Sequence, residues 1–308
     1  MIDSWEIIGR FGLEWGIEKI LIPVVKLSEK MTLPPWNDCH FPGLVVKLED
    51  LITGNGKQTK SIFNKIRQSG GLHNYLDFTG NIVLSSIMPD KTIAGLSLER
   101  HADIVNSLNP DYHITPDGET YLNEKALSVY EIKRMLQWTE YLIDNCPESI
   151  PIGLVKGSCV AQIEDHTDRL CDIGLDLFAF HAGDFIFRSN KKSVQQAKLF
   201  YSVIRKKVPW LMIYGIGSDK YFRLFFEADC FATQSHFIQA FYGQEIGNSD
   251  IISQDNSGSR EMILRNLKSL ETMMIGYKKD QMKFSYASDR ESSINSIIED
   301  NKYSIGGK

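Results

Sequence analysis

The sequence has few cysteines, and they form no recognisable metal-binding or disulfide pattern. Its five cysteines are scattered over 308 residues, and none belongs to a Cys-x-x-Cys pair. Cysteine zinc sites need closely spaced pairs, and a disulfide framework needs an even set of cysteines. We therefore expect reduced thiols, with neither a cysteine zinc site nor a disulfide framework.

Long apolar runs and a basic charge excess are also missing. No window reaches the roughly 18 consecutive apolar residues of a membrane span, and the start of the chain lacks the basic and then apolar order of a signal peptide. We therefore expect a cytoplasmic protein with no membrane partner. The 34 basic and 39 acidic residues give a net charge of -5, so a nucleic acid would have to meet a local basic patch. Residues 57–67, 188–192 and 205–207 offer such patches, with an ordinary solvated surface as the alternative for each.

The apolar content is ample for a large core. Hydrophobic residues make up 43% of the chain and aromatic residues 11%, which is typical of a folded globular protein. A length of 308 residues suits one α/β barrel. We predict a single catalytic domain over residues 1–284 and a polar C-terminal tail over 285–308.

From residue 150 onward, apolar runs alternate with amphipathic segments. The runs begin at Ile150, Leu175 and Trp210, with a fourth at 229–233, and helices are expected at 162–172, 193–206 and 220–226. This alternation predicts βαβ winding around a parallel sheet. The first half is less regular, with strands expected at 80–86 and 110–115 and helices at 99–108 and 128–144. A long helix is expected at 259–282. The pattern alone does not separate a closed barrel from an open sheet.

In parallel α/β folds the ligand lies at the carboxyl ends of the strands. The residues that we assign to those ends are Asp77, Asp117, Lys156, His181 to Asp184, the turn at Gly215 and Gly217, and Asp229. Carboxylates that converge among small residues predict a polar pocket for a flat, hydrogen-bonding ligand. For Asp229 the alternative is a helix cap or a loop carboxylate.

Four segments resemble the tRNA-guanine transglycosylase superfamily of base-exchange enzymes. They are Leu76-Asp-Phe-Thr-Gly80, Asn109-Pro-Asp-Tyr-His-Ile-Thr-Pro-Asp117, Val155-Lys-Gly-Ser158, and Leu211-Met-Ile-Tyr-Gly-Ile-Gly-Ser218 with Ala228-Asp-Cys230. The resemblance covers about residues 70 to 240. It implies an α/β fold of the (β/α)8 TIM-barrel type, here with an irregular N-terminal part and a C-terminal helix and tail.

The resemblance also implies roles for individual residues. Asp229 would be the nucleophile that attacks the sugar C1′ and forms a covalent aspartyl-nucleotide, and Asp77 would be the acid/base. Asp117 would accept hydrogen bonds from a guanine-like base. The other base-binding positions would be Lys156, Gly157, His181, Gly183 and Phe78, although Phe78 suits the core equally well. Arg188, Lys191 and Lys192 would contact the nucleic acid.

The departures from the family pattern carry information too. Lys156 stands where the family has Gln, and a lysine can donate but cannot accept a hydrogen bond. The family's zinc site has no counterpart because no cysteine follows Cys230, so we expect no zinc and no other cofactor. The short chain is most similar to the branch that inserts 7-deazaguanine bases such as preQ0 into DNA in bacteria and their phages. DNA is therefore the expected partner, with tRNA as the alternative and a homodimer or a partner protein left open.

Two other classes of function stay open. Lys156 at a strand end is also compatible with a Schiff-base lysine of an aldolase-type barrel, which would require a desolvated, neutral amine. A non-catalytic paralogue that keeps the barrel and binds nucleic acid is the third hypothesis.

Overall fold

A computed structural model describes residues 20–27, 35–119, 125–186, 191–246 and 260–273. Eight parallel strands close into a barrel in the order of the sequence. The strands are β1 Ile20–Val25, β2 Gly43–Lys47, β3 Asn81–Ser85, β4 Tyr112–Ile114, β5 Ile150–Val155, β6 Leu177–His181, β7 Trp210–Tyr214 and β8 Cys230–Thr233. The expected (β/α)8 barrel is confirmed.

Helices connect the strands. They are α1 Ser61–Gln68, α2 Leu72–Leu76, α3 Asp90–Ile93, α4 Leu98–Leu108, α5 Lys125–Asn145, α6 Val160–Asp172, α7 Gly183–Ile186, α8 Lys191–Arg205, α9 Asp219–Leu224 and α10 Ser235–Phe241, followed by α11 at residues 260–273. Among these described helices none is long and apolar enough to cross a membrane.

The barrel closes where the first strand meets the last. Strand β1 pairs with β2 on one side and with β8 on the other, with Ile20 opposite Cys230 and Pro23 opposite Thr233. All eight neighbouring pairs are parallel. The carboxyl ends of all the strands therefore lie at the same end of the barrel.

Alternate strand residues build two layers of core. One set fills the barrel interior, for example Val45, Ile114 and Met212, and the other set packs outward against the helices, for example Leu44, Phe178 and Leu211. Both faces of each strand are thus buried. This explains why the strands appear in the sequence as continuous apolar runs without a period of two.

The predicted elements of the second half match the structure to within a few residues. Strands β1 and β2 were not predicted, and β4 is only three residues long. Helix α11 occupies part of the predicted 259–282 helix. The boundary at 284 and the tail at 285–308 lie outside the described residues.

Candidate active site at the carboxyl end of the barrel

One cavity of about 590 Å³ opens at the carboxyl end of the barrel. Its lining includes residues that follow β2, β4, β5, β6, β7 and β8. The volume lies within the ~300–1,000 Å³ range of small-molecule sites. The position is the one at which TIM-barrel enzymes hold their substrates.

A buried ion pair forms one wall of the cavity. Lys156 directly follows β5, and its Nζ lies 2.6 Å from Oδ1 of Asp117 in the segment after β4. The side chains of Lys156 and Asp117 are only 12% and 3% exposed, respectively. Oδ1 of Asp117 also accepts a hydrogen bond from the backbone N–H of Gly118 at 2.8 Å. Among the described residues nothing donates to Oδ2 of Asp117, so this oxygen can accept a bond from a ligand.

The environment keeps Lys156 charged. Burial alone would lower the pKa of its amine, but the carboxylates of Asp117 and Asp184 outweigh burial and raise the pKa above its usual 10.5. Its backbone is held from behind by His166 of α6, whose Nδ1 lies 3.1 Å from the amide nitrogen and 2.9 Å from the carbonyl oxygen of Lys156. Burial lowers the pKa of His166 to about 4, which keeps that imidazole neutral at neutral pH. The site therefore presents a fixed cation.

A second carboxylate lies on the other side of Lys156. Oδ2 of Asp184, in α7, is 3.9 Å from Nζ of Lys156 and 3.3 Å from Nδ1 of His181 at the end of β6. Asp184 is 53% exposed, in contrast to the buried Asp117. The His181 ring meets the ring of Tyr214 edge to face, with centroids 5.4 Å apart. The cavity thus combines a buried carboxylate, an ammonium, an imidazole and an accessible carboxylate.

Glycines allow the loops after β7 and β8 to approach closely. Gly215 has a φ of +83°, and a Cβ there would lie 2.8 Å from the His181 ring. A Cβ on Gly217 would lie 2.3 Å from Cβ of Ser235, which follows β8. The predicted Gly-x-Gly turn therefore lines the cavity, as expected for a strand end.

Several cavity residues were not found from the sequence. Lys47 is the last residue of the unpredicted strand β2, and it forms an ion pair with Glu49, which follows that strand. Asp90 begins α3. The apolar run Gly43-Leu-Val-Val was the available signal for β2. Tyr214, another lining residue, is the last residue of β7 and was treated only as part of an apolar run.

The predicted position of Asp229 is wrong. Asp229 immediately precedes β8, at the amino end of the barrel, and is not among the residues that line the cavity. Its carboxylate pairs with Arg205 at 2.9 Å and accepts a hydrogen bond from the backbone N–H of Leu211 at 2.7 Å. An acidic residue that opens an apolar run stands at the start of the strand, not at its end. This position and these contacts agree with the loop-carboxylate alternative for Asp229.

Asp77 and Phe78 also lie at the amino end of the barrel, contrary to their predicted position. Asp77 is the exposed residue that directly follows α2, with a φ of 49°, and it stands four residues before β3. Phe78 is partly buried and packs against the cluster between the strands and the helices, which agrees with its core interpretation. Neither residue lines the cavity.

The remaining predicted residues are two glycines and three basic residues. Gly157 is buried under α6, where a Cβ would lie 2.9 Å from the amide nitrogen of Ile163, and Gly183 is the buried first residue of α7. Both support the wall without lining it. Lys191 and Lys192 begin α8 and are exposed, while Arg188 lies outside the described residues.

Metal binding has no obvious location in the part of the chain that the structure describes. No group of three or more His, Cys, Asp or Glu side chains there is arranged to hold an ion. The cavity carboxylates Asp117 and Asp184 are instead associated with Lys156. The charged side chains of the cavity can hydrogen-bond to a ligand and exchange protons with it.

Comparison with known proteins adds no assignment. The chain matches no protein-family model. A search of curated proteins likewise gives no match.

Proposed function

We propose that the cavity binds the lactam edge of a guanine-type base and that the protein is a transglycosylase that exchanges guanine in a nucleic acid for a 7-deazaguanine base. One observation carries the proposal. Oδ2 of buried Asp117 accepts no bond from a described residue, and it stands beside the Lys156 ammonium. An acceptor and a charged donor are thus presented together in a largely desolvated wall.

This arrangement favours guanine over adenine. The edge of guanine and of 7-deazaguanines carries an N1–H donor and a 2-amino donor next to the O6 acceptor. Asp117 would accept from the donors while Lys156 donates to O6. Adenine offers only one donor on this edge, the 6-amino group, beside the acceptor N1. It would therefore make one hydrogen bond fewer with Asp117 and Lys156, which lowers its affinity.

The exchange needs a carboxylate that can reach a sugar carbon. Asp184 meets this need best, because it borders the base-binding wall and is half exposed, whereas Asp117 is committed to Lys156. We assign the role of nucleophile to Asp184 in place of Asp229. A carboxylate needs no activating base for this attack.

The proposed reaction proceeds in two balanced displacements. An oxygen of Asp184 bonds to C1′ as the bond from C1′ to guanine N9 breaks. The electron pair of the broken bond stays on guanine, which takes up a proton. The incoming base then loses its ring N–H proton, bonds to C1′ and frees the carboxylate. His181, with Nδ1 3.3 Å from Asp184, is the group that we propose carries this proton. No other reactant is required.

DNA is the proposed polymer, with tRNA as the alternative. In either polymer the target guanine must leave its stack before C1′ is accessible, at a cost of a few kcal/mol. A cavity of about 590 Å³ is large enough to receive the extruded base.

Calorimetry and mass spectrometry test the two halves of the proposal separately. Titration with preQ0, guanine and adenine should show tighter binding of the first two than of adenine, and Asp117→Asn should abolish the binding of preQ0 and guanine. Nucleoside mass spectrometry after incubation with preQ0 and DNA, or with preQ0 and tRNA, should detect a deazaguanine nucleoside in one polymer. Asp184→Asn should stop incorporation and keep base binding. Asp176→Asn changes an exposed aspartate next to the amino end of β6. It is the matched control and should leave both incorporation and base binding unchanged.

The absence of a carboxylate in β8 and in the segment after it favours a second function, base binding without exchange. Residues 230–239 contain no Asp or Glu, and the aspartate to which the resemblance gives the nucleophilic role lies at the opposite end of the barrel. These facts favour a base-binding paralogue without exchange activity. Base binding with no incorporation into DNA or tRNA would select this function.

A further inference from the structure

A set of aromatic and apolar side chains, three of them exposed and two partly buried, lies beside the cavity. We define the aromatic surface as Tyr221 of α9 together with Phe237, Ile238 and Phe241 of α10 and the following Tyr242. Ile238, Phe241 and Tyr242 are 37%, 61% and 64% exposed, respectively. Rings of this size are seldom left in water without a partner that covers them.

The aromatic surface is continuous with the cavity. Tyr221 and Ile238 belong to the cavity lining. Phe241 and Tyr242 follow Ile238 by three and four residues, so the helical repeat places them on the same face, one turn farther from the cavity. Their rings meet edge to face with centroids 5.4 Å apart. A chain that enters the cavity can therefore continue across these rings.

Lysines accompany the rings. Nζ of Lys26, which follows β1, lies 5.2 Å from the centroid of Phe237, and Nζ of Lys220 lies 5.5 Å from the centroid of Tyr221. Both lysines are exposed. Aromatic faces flanked by ammonium groups combine stacking for bases with charge for phosphates. An apolar protein partner would gain nothing from the two cations.

We propose that the aromatic surface binds the single-stranded nucleotides that flank the base held in the cavity, with one base stacked on Phe241 and another on Tyr242. This inference rests on the proposed function, because the bound strand is the one that carries the exchanged base. Stacking is indifferent to base identity, so this surface would bind the strand while the cavity selects the guanine.

Fluorescence anisotropy with a labelled single-stranded oligodeoxynucleotide that contains one guanine tests the proposal. Phe241→Ala and Tyr242→Ala should each weaken binding by about tenfold, the usual scale for the loss of one stacked base. Tyr242→Phe should keep the affinity, because the ring is retained. Phe226→Ala is the control: Phe226 is 58% exposed but lies between α9 and β8, next to the amino end of the barrel.

The possible outcomes separate this inference from the proposed function. Loss of oligonucleotide binding in Phe241→Ala and Tyr242→Ala, with unchanged preQ0 binding and an unaffected Phe226→Ala, supports the surface. Two results would contradict the nucleotide-binding role of the aromatic surface without contradicting the base site. One is an equal loss of oligonucleotide affinity in Phe241→Ala, Tyr242→Ala and Phe226→Ala. The other is a wild type that binds preQ0 but no oligonucleotide. A wild type that binds neither probe overturns both. A dimer in size-exclusion chromatography that Tyr242→Ala converts to a monomer assigns the surface to a second copy of the chain and also overturns the proposal.

Discussion

Asp111 and Asp229 make the same contact at two places in the barrel. Each immediately precedes a strand, and each accepts a hydrogen bond at 2.7 Å from the backbone N–H of the second residue in the preceding strand, Ile82 or Leu211. Each also meets a basic side chain at 2.9 Å, His73 or Arg205. The two aspartates therefore fasten neighbouring strands together at the amino end of the barrel.

Replacement of Asp229 should reduce stability and leave base binding unchanged. Asp229→Ala leaves the amide of Leu211 without its acceptor and Arg205 without its carboxylate, which should lower the free energy of unfolding by about 1–3 kcal/mol. Urea denaturation measures the loss, and titration with preQ0 measures the affinity. Asp111→Ala should behave in the same way. Normal stability with lost exchange would instead restore the nucleophilic role of Asp229.

A buried histidine should make the protein sensitive to mild acid. Burial lowers the pKa of His101 from 6.5 to about 4, and neither ring nitrogen has a hydrogen-bond partner among the described residues. Between these values the unfolded chain binds a proton that the folded protein does not. The free energy of unfolding therefore falls as the pH drops below 6.5, by about 1.4 kcal/mol per pH unit for this one group.

Comparison with a variant isolates that contribution. Between about pH 6.5 and pH 5, the free energy of unfolding of His101→Leu should fall by about 2 kcal/mol less than that of the wild type. Urea denaturation at both pH values measures the two free energies. His40→Gln, at an exposed position, should follow the wild type. An equal fall in the free energy of unfolding for the wild type and His101→Leu would contradict the expectation.

Lys156 should not form a Schiff base. The raised pKa keeps its amine protonated at neutral pH, and a protonated amine is not a nucleophile. Borohydride in the presence of pyruvate should therefore leave the protein mass unchanged. A reduced adduct mapped to Lys156 would bring back the aldolase hypothesis.

The close contact of the loops after β7 and β8 should be necessary for base binding. Gly217→Ala places a Cβ 2.3 Å from Cβ of Ser235, so the two loops must separate and the cavity wall must shift. We expect at least a tenfold loss of preQ0 affinity, equivalent to about 1.4 kcal/mol. Gly54→Ala, where a Cβ would meet nothing within 4 Å, is the matched control for calorimetry.

The sequence predicted the part of the site that follows long apolar runs. Lys156 and His181 come at the ends of β5 and β6. Because the apolar residues of these strands are consecutive, the sequence indicated that both residues lie at the carboxyl end of the sheet. Asp117 follows the short β4, but the resemblance gave it the same location. The ion pair between Asp117 and Lys156 follows from the neighbouring positions of β4 and β5 in the barrel.

The same reasoning failed where motif similarity replaced strand direction. Asp229 and Asp77 both stand before apolar runs, so a strict reading of strand direction would have placed them at the amino end. Lys47 was missed because β2 lies in the first half, where strands and helices do not alternate regularly in the sequence. Strand β1 was missed because it contains Pro23, a residue that argues against a strand. Contacts between segments distant in sequence, such as Lys26 with Phe237, left no pattern in the sequence.

The pairing of β1 with β8 has a consequence for synthesis in the cell. Ile20 finds Cys230 only after more than two hundred intervening residues have been made, and strand pairing across such a separation is slow because the connecting chain must first lose entropy. An emerging chain with β1 and β2 alone exposes both the free edge of β1 and the apolar inner face of the unfinished barrel. We therefore expect truncation before residue 230 to yield an aggregating product, and the nascent chain to depend on chaperones until the eighth strand is released from the ribosome.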